Sequence, residues 1–218
     1  MKSSAGTHPT LLTRRLRLRQ FEPRDVPGLH ACFGDPVAMR YWNFPPCRSE
    51  DESARWVTIL AKNTSPYSFL AWAVADKRSD QCIGMINYHH REAHNRRLEI
   101  GYILAPAKQG RGLMTEAVAA LLDYCFEKLQ VHRVQALIHP DNTASIRLAE
   151  RVGFRCEGGP LHDYWRVGDG YASVMMYGLV KGVSSPQPSV GEGVRLTARP
   201  DTPGGRGRRR GARRPSRT

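Results

Sequence analysis

Gln109-Gly110-Arg111-Gly112-Leu113-Met114-Thr115-Glu116-Ala117 joins two runs of different periodicity. Before it, Leu98 to Leu104 reads as a strand; after it, a helical pattern continues to about Leu129. Two glycines in the turn permit backbone dihedrals that a Cβ forbids and let a ligand approach the main chain. The first N–H groups of the helix that follows have no intrahelical acceptors and sit at the positive end of its dipole. Together these features describe a pyrophosphate cradle made of backbone amides. A plain strand-to-helix turn can use the same glycines, so the meaning rests on the flanking sequence. No Gly-Lys-Ser/Thr closes the loop, which excludes a P-loop. Thr115 stands where a dinucleotide fingerprint has its third glycine, and the strand comes late in the chain.

Outward from the loop, Pro106 stops the strand, and Leu113, Ala117, Leu121 and Cys125 recur every fourth residue of the helix. A strand from His132 to Ile138 then completes a βαβ unit. Beyond it, Asn142, Thr143, Ala144 and Ser145 open another helix, which Gly153-Phe154 ends. Tyr171 to Leu179 is the last strand. On the N-terminal side, Leu16 to Phe21 alternates as a half-buried strand. Asp25 caps a short helix with Pro27 in its first turn, and Asp35-Pro36 starts a second helical turn that reaches Trp42. Ser49 and Glu52 form a capping box for a helix that turns Ala54, Trp56 or Val57, and Leu60 inward. Tyr67 to Ala75 and Cys82 to Tyr88 are strands joined by the polar turn Asp76 to Asp80. His89, His90 and His94 invite a metal reading. Adjacent strand histidines point to opposite faces, however, and no carboxylate or cysteine completes the set, so no metal is expected and solvent or acceptor-site polar contacts are the better reading.

The 218 residues, 40% of them hydrophobic, suffice for one domain with a sizeable core. Five cysteines (Cys32, Cys47, Cys82, Cys125 and Cys156) are odd in number and contain no Cys-x-x-Cys pair, which reads as a reduced cytosolic protein. No apolar run approaches membrane-spanning length, and the N-terminus lacks the apolar core of a signal peptide. The net charge of +13 is concentrated at one end: residues 181–218 carry a net +8 and leave +5 for residues 1–180. That tail is rich in Arg, Gly and Pro without hydrophobic periodicity, and it is expected to be disordered. Two readings of it stand: a non-specific RNA contact, or a solvated extension, the second being preferred. The expected boundaries are a flexible segment over residues 1–9, one folded domain over 10–180 and the tail over 181–218.

Gln109-x-x-Gly112-x-Met114 resembles the acyl-CoA signature Gln/Arg-x-x-Gly-x-Gly/Ala of the GNAT superfamily of N-acetyltransferases. Met departs from the pattern in the last slot. The longer Gly-Arg-Gly-Leu-Met-Thr-Glu-Ala is similar to the branch that acetylates ribosomal-protein N-termini, as are Thr13-x-Arg-Leu-x-Leu-Arg19, Asp25 and Met39-Arg-Tyr41. Asn142-x-x-Ser145 with Gly153-Phe154 is a further match. The resemblance implies an α/β fold: a mixed, mostly antiparallel sheet whose two central parallel strands splay apart, with flanking helices. It also implies acetyl-CoA as co-substrate, held by Gln109, Gly110, Arg111, Gly112, Leu113, Met114 and Thr115, by the backbone around Ile103 and Leu104, and by Asn142. Tyr41, Trp42 and Asn43 would line the approach of the acceptor amine; the aromatics also read as partly buried core, for Tyr41 equally well.

Many members of the superfamily place a Tyr seven residues after the Asn to protonate the departing thiolate. Here Ala149 holds that position. Ser145, one helical turn earlier on the same side, takes the role by resemblance, although it could instead bond the helix backbone. Two carboxylates compete as the base. Glu99 lies on the central strand, and Asp163 lies in Leu161 to Val167; either is equally readable as structural. An α-amine, with a reference pKa of roughly 8, asks less of a base than a lysine near about 10. The expected activity is direct acetyl transfer, without an acyl-enzyme, to a protein N-terminal amine. A small amine such as an antibiotic or polyamine is the alternative, and a non-catalytic CoA-binding or RNA-associated module is a third reading, favoured by Met114 and the missing Tyr. Monomer and homodimer are both compatible with the sequence.

Overall fold

The computed structural model describes residues 8–62 and 68–182. The basic tail from residue 183 onward and the expected strand start at Tyr67 lie outside the described residues. Eight strands form one sheet in the order β1-β2-β3-β4-β5-β6-β8-β7. They are β1 (Leu11–Leu12), β2 (Leu16–Arg19), β3 (Leu70–Asp76), β4 (Cys82–Glu92), β5 (Arg97–Leu104), β6 (Arg133–Ile138), β7 (Arg155–Val167) and β8 (Gly170–Val180). Neighbours pair antiparallel throughout except β5 with β6. That parallel step needs a crossover, and the helix predicted after the glycine loop supplies it.

Among the described residues four α-helices flank the sheet: α1 (Val26–Phe33), α2 (Glu50–Lys62), α3 (Leu113–Asp123) and α4 (Thr143–Arg151). A π-helical turn, Tyr124–Lys128, extends α3 close to the predicted end at Leu129. Each face of the sheet has its own core. Leu70, Trp72, Val74, Tyr88, Leu98 and Ile100 pack with the inner faces of α3 and α4 in one cluster. Phe33, Leu29, Val57 and Leu60 of α1 and α2 cover Ala71, Ala73, Met85 and Ile103 in the other. Because β3 is covered on both sides, it reads as a continuous apolar run, with Trp and Leu towards one layer and alanines towards the other. No helix among the described residues is long and apolar enough to cross a membrane.

Several local expectations are modified. Asp35 to Trp42 forms turns and bends, held by Met39 N–H to Asp35 O (3.0 Å), without a helix. Ser49 caps α2, but Glu52 accepts from Arg48 N–H, one residue earlier than a regular box. Leu161 to Val167 belongs to β7, the edge strand, which bulges three times against β8. At the N-terminus order extends beyond residue 10, since Trp72 Nε1 donates to Pro9 O (2.7 Å) and the His8 ring meets Ala71 O (2.8 Å).

Candidate active site

The parallel pair β5 and β6 is in register at three positions: Arg97 with Arg133, Leu98 with Val134 and Glu99 with Gln135. Beyond them each strand keeps its outer partner. β5 pairs with β4 as far as Leu104, and β6 pairs with β8 as far as Ile138. The facing edges from Ile100 and Ala136 onward therefore part, leaving main-chain groups without a strand partner. An extended chain bearing amides can fill such a gap by strand-like hydrogen bonding.

The glycine loop lies where β5 ends. Gly110 (φ +72°) and Gly112 (φ +70°) are both left-handed, which accounts for glycine at both positions. A Cβ on Gly110 would meet nothing within 4 Å, and one on Gly112 would approach Arg15 at 3.7 Å, so the concave side is open. No side chain caps α3, and its first internal bond runs from Glu116 N–H to Gly112 O, which leaves the preceding amides for an anion. The Leu113 and Met114 side chains are buried in the core, so these residues can offer only backbone to a ligand. The departure at Met114 thus leaves the cradle unobstructed. Gln109 spends its side chain on the fold, donating to Leu104 O at 2.8 Å, and that carbonyl is to this extent already engaged. Arg15 braces the loop from β2's entry: its guanidinium donates to Arg111 O (3.0 Å) and to Glu116 (2.7 Å). Burial alone would raise the Glu116 pKa. The hydrogen bonds from Thr13 and Arg15 outweigh it and hold this carboxyl below its ordinary value.

α4 begins beside the gap. Asn142 caps it by accepting from Ser145 N–H (3.1 Å), and the Ser145 hydroxyl lies 2.7 Å from the Tyr102 hydroxyl. Tyr102 comes from β5, so this contact reaches from one lip of the split to the helix that follows the other. Burial pushes the Tyr102 phenol up to about 12, against the opposing effect of the Ser145 hydrogen bond, so it remains a donor at neutral pH. Tyr41 spans the mouth in a similar way, donating to Asp141 O (3.2 Å) with its ring 4.9 Å from that of His139. Trp42 instead packs in an aromatic cluster with Phe33 and Phe44, while Asn43 is exposed.

Glu99, 6% exposed, sits at the last paired position before the split. Its carboxylate contacts His89 Nε2 at 3.0 Å, His90 Nδ1 at 3.7 Å and Gln135 Nε2 at 3.5 Å. Burial would raise its pKa; the His89 hydrogen bond and charge, the Gln135 bond and the His90 charge outweigh this and lower it. The expectation that the two histidines diverge with no carboxylate nearby is overturned. His89 stands opposite Glu99 in the ladder; beyond it the ladder slips and His90 adopts φ +49°, so the bulge brings the His90 ring back to the carboxylate that His89 already faces. One donor atom from each of His89, His90 and Glu99 lies within 4.8 Å of the others, a spacing compatible with a divalent ion and equally with the hydrogen-bonded pair that the 3.0 Å contact forms.

Alternation along β5 sends Ile100, Tyr102 and Leu104 to the α3/α4 face and Glu99, Gly101 and Ile103 to the α1/α2 face. Glu99 and the Tyr102–Ser145 pair are therefore on opposite sides of the sheet, with the split as the passage between them. Asp163 is not brought to either. It is exposed on β7 with φ +52°, and its neighbour Leu161 pairs with Val174, beyond the end of β6. Tyr102 escapes a reading of the sequence alone, Arg15 is met there only as part of a family match with no role, and His89 only as one of three histidines of a polar cluster. Parity with Ile100 and Leu104 is a usable signal for Tyr102; Arg15 is 96 residues from the loop backbone it touches, and nothing local marks it.

A split parallel pair with uncapped helix amides at its mouth has the room and the main-chain groups that an acyl-CoA thioester would need. The chain belongs to the GNAT acetyltransferases: the family profile described as "Acetyltransferase (GNAT) domain" matches residues 15–155. It is an acetyl-CoA-dependent N-acetyltransferase. The putative ribosomal N-acetyltransferase YdaF of Bacillus subtilis is 36% identical over 172 residues, 78% of this chain and 93% of that protein. Spermidine N(1)-acetyltransferase of Escherichia coli is 26% identical over 69% of this chain and 78% of its own length. A GNAT-family acetyltransferase crystal structure from Bacillus anthracis, 26% identical, superposes with a TM-score of 0.69 over 79% of this chain and 98% of that one.

Proposed function

We propose that this protein moves the acetyl group of acetyl-CoA directly to the α-amine of a protein N-terminus, and that the thioester lies in the split between β5 and β6. The observation that carries this reading is the division of polar groups across the sheet. The cradle of Gly110, Gly112 and the α3 amides takes the pyrophosphate, with Arg15 and Arg111 near it. The pantetheine arm replaces the missing pairing beside Ile103 and Leu104, and Asn142 borders it. The amine arrives on the α1/α2 face, past Tyr41, Trp42 and Asn43, where the Glu99 cluster receives its proton. The thiolate departs on the α4 face, where Ser145, held by Tyr102, donates a hydrogen bond to the sulfur.

The choice of acceptor rests on charge. Residues 1–180 carry a net charge of +5 besides the +8 of the tail, and on the β4–β5 hairpin the carboxylate of Glu92 is taken by Arg97 at 2.6 Å. Such a surface repels a polycation and suits a single amine on a peptide. The ribosomal relative favours the same choice; the spermidine relative keeps a polyamine as the second reading. Thiol release with acetyl-CoA and three acceptors separates them. A peptide with a free α-amine is expected to turn over, the same peptide blocked at that amine to be silent, and spermidine to be at least about tenfold poorer in kcat/KM. Turnover on spermidine alone overturns the assignment. The full chain and a chain ending at residue 182 are expected to match on short peptides, with any salt-dependent RNA affinity confined to the longer one.

A further inference from the structure

Glu99 is poorly placed to meet an incoming amine. Its side chain is 8% exposed. Both oxygens are already fronted, one by His89 and the other by His90 and Gln135. An ionised carboxylate can only accept, so the 3.0 Å contact assigns the proton of a neutral His89 to Nε2 and the lone pair to Nδ1. That Nδ1 is buried and meets no hydrogen-bond partner among the described residues. Two residues earlier on the same face of β4, Asn87 Oδ1 is buried and unpartnered in the same way. Asn87, itself 7% exposed, stands opposite Gly101, where β5 has just left β6. A Cβ on Gly101 would come within 2.7 Å of that oxygen and 3.7 Å of the His89 ring. Leaving a buried polar atom unpaired is costly, and two such acceptors side by side at a site are explained by a ligand rich in N–H groups.

Resting on the proposed transfer, we infer that His89 is the group that takes the proton of the acceptor amine, that Glu99 is a positioning residue behind it, and that Asn87 accepts a second N–H of the same amine. One proton of R–NH3+ passes to His89 Nδ1, freeing the nitrogen lone pair. The C–N bond forms at the thioester carbonyl carbon, and the C–S bond breaks with its electrons on sulfur. Of the two protons left on nitrogen, one stays in the amide and the other ends on sulfur as the free thiol. The imidazolium returns its proton to solvent past the exposed His90. The net change is one ammonium and one thioester converted to one amide, one thiol and one released proton.

The test uses the full chain, acetyl-CoA and a peptide with a free α-amine. His89→Gln is expected to lower kcat by about 100-fold or more while acetyl-CoA binding by calorimetry, which also certifies folding, is unchanged. Added imidazole is expected to restore part of the turnover in His89→Gly. Nitrogen-15 NMR of the wild-type histidines is expected to show the Nε2–H tautomer at His89, and Glu99→Ala to lose that preference. Asn87→Ala is expected to raise KM for the peptide. An active wild type with His89→Gln within about threefold of it, or a His89 protonated at Nδ1 alone when neutral, overturns the assignment to His89 and leaves the transferase reading intact. A wild type that releases no thiol with any amine overturns the transferase reading, and with it this one.

Discussion

The two ends of β5 are polar by different means. At its C-terminal end the proposed anion cradle is almost wholly main chain: left-handed glycines, uncapped amides, and residues such as Leu113 and Met114 whose side chains face the core. At its N-terminal end the polar cluster is wholly side chain: the Glu99 carboxylate meets His89 across the ladder, Gln135 from β6 and His90 from a bulge. A backbone site tolerates changes of side-chain chemistry and fails when a Cβ closes it. A side-chain site behaves the other way round, since its geometry is cheap to keep and its atoms are not replaceable.

Substitutions can break this contrast. The largest expected effect is at the cradle: Gly112→Val places a β-branched residue at φ +70° and fills the concave side, and acetyl-CoA affinity by calorimetry should fall about 100-fold. Retained affinity would mean the anion is held elsewhere. Met114→Ala removes buried volume without touching an amide, so it should lose about 2 kcal/mol of stability in denaturant titrations while binding acetyl-CoA as before. A matching loss of affinity would count against a backbone site. Ser145→Ala and Tyr102→Phe should each reduce kcat about tenfold, and the double variant should be little worse than either, since the two hydroxyls act as one unit 2.7 Å apart.

The smallest expected effect concerns the brace behind the loop. Glu116 has a folded-state pKa below its reference of 4.5, so it stabilises the fold above that pH, and the contribution is lost as pH falls through the folded value. Glu116→Gln should be less stable than wild type near about pH 7, and the gap in thermal midpoint should narrow towards about pH 4. A gap that stays constant would show that the three hydrogen bonds, and not the charge, carry the brace.

What could be read from the residues follows the same division. The loop, the strand before it and the helix after it are legible because glycine and 3.6-residue periodicity are local signals. The split at Ile100 was inferable only through resemblance, since strand registers depend on partners far along the chain. The approach of His90 to Glu99 is not legible in the residues because a period of two does not carry through a bulge, and nothing in His89-His90-Arg91 announces the positive φ at His90. Ser145 was legible as a helix-start residue, whereas its partner Tyr102 required knowing which face of β5 meets α4. Asp163 and Glu99 look alike as carboxylates in sequence; their separation is a matter of strand order, which places β8 between β6 and β7.

The three-pair ladder between β5 and β6 has a mechanical consequence. To either side lie two half-sheets, β1 to β5 and β6 with β8 and β7, each well laced internally and thinly stitched to the other. A co-substrate lying in the gap would act as a removable ninth strand, adding hydrogen bonds to both halves at once. At about 100 times its dissociation constant it would add about 2.7 kcal/mol to global stability, with slowed hydrogen exchange concentrated over residues 100–104 and 136–138. The persistence of the folded enzyme would then follow the supply of the thioester it consumes.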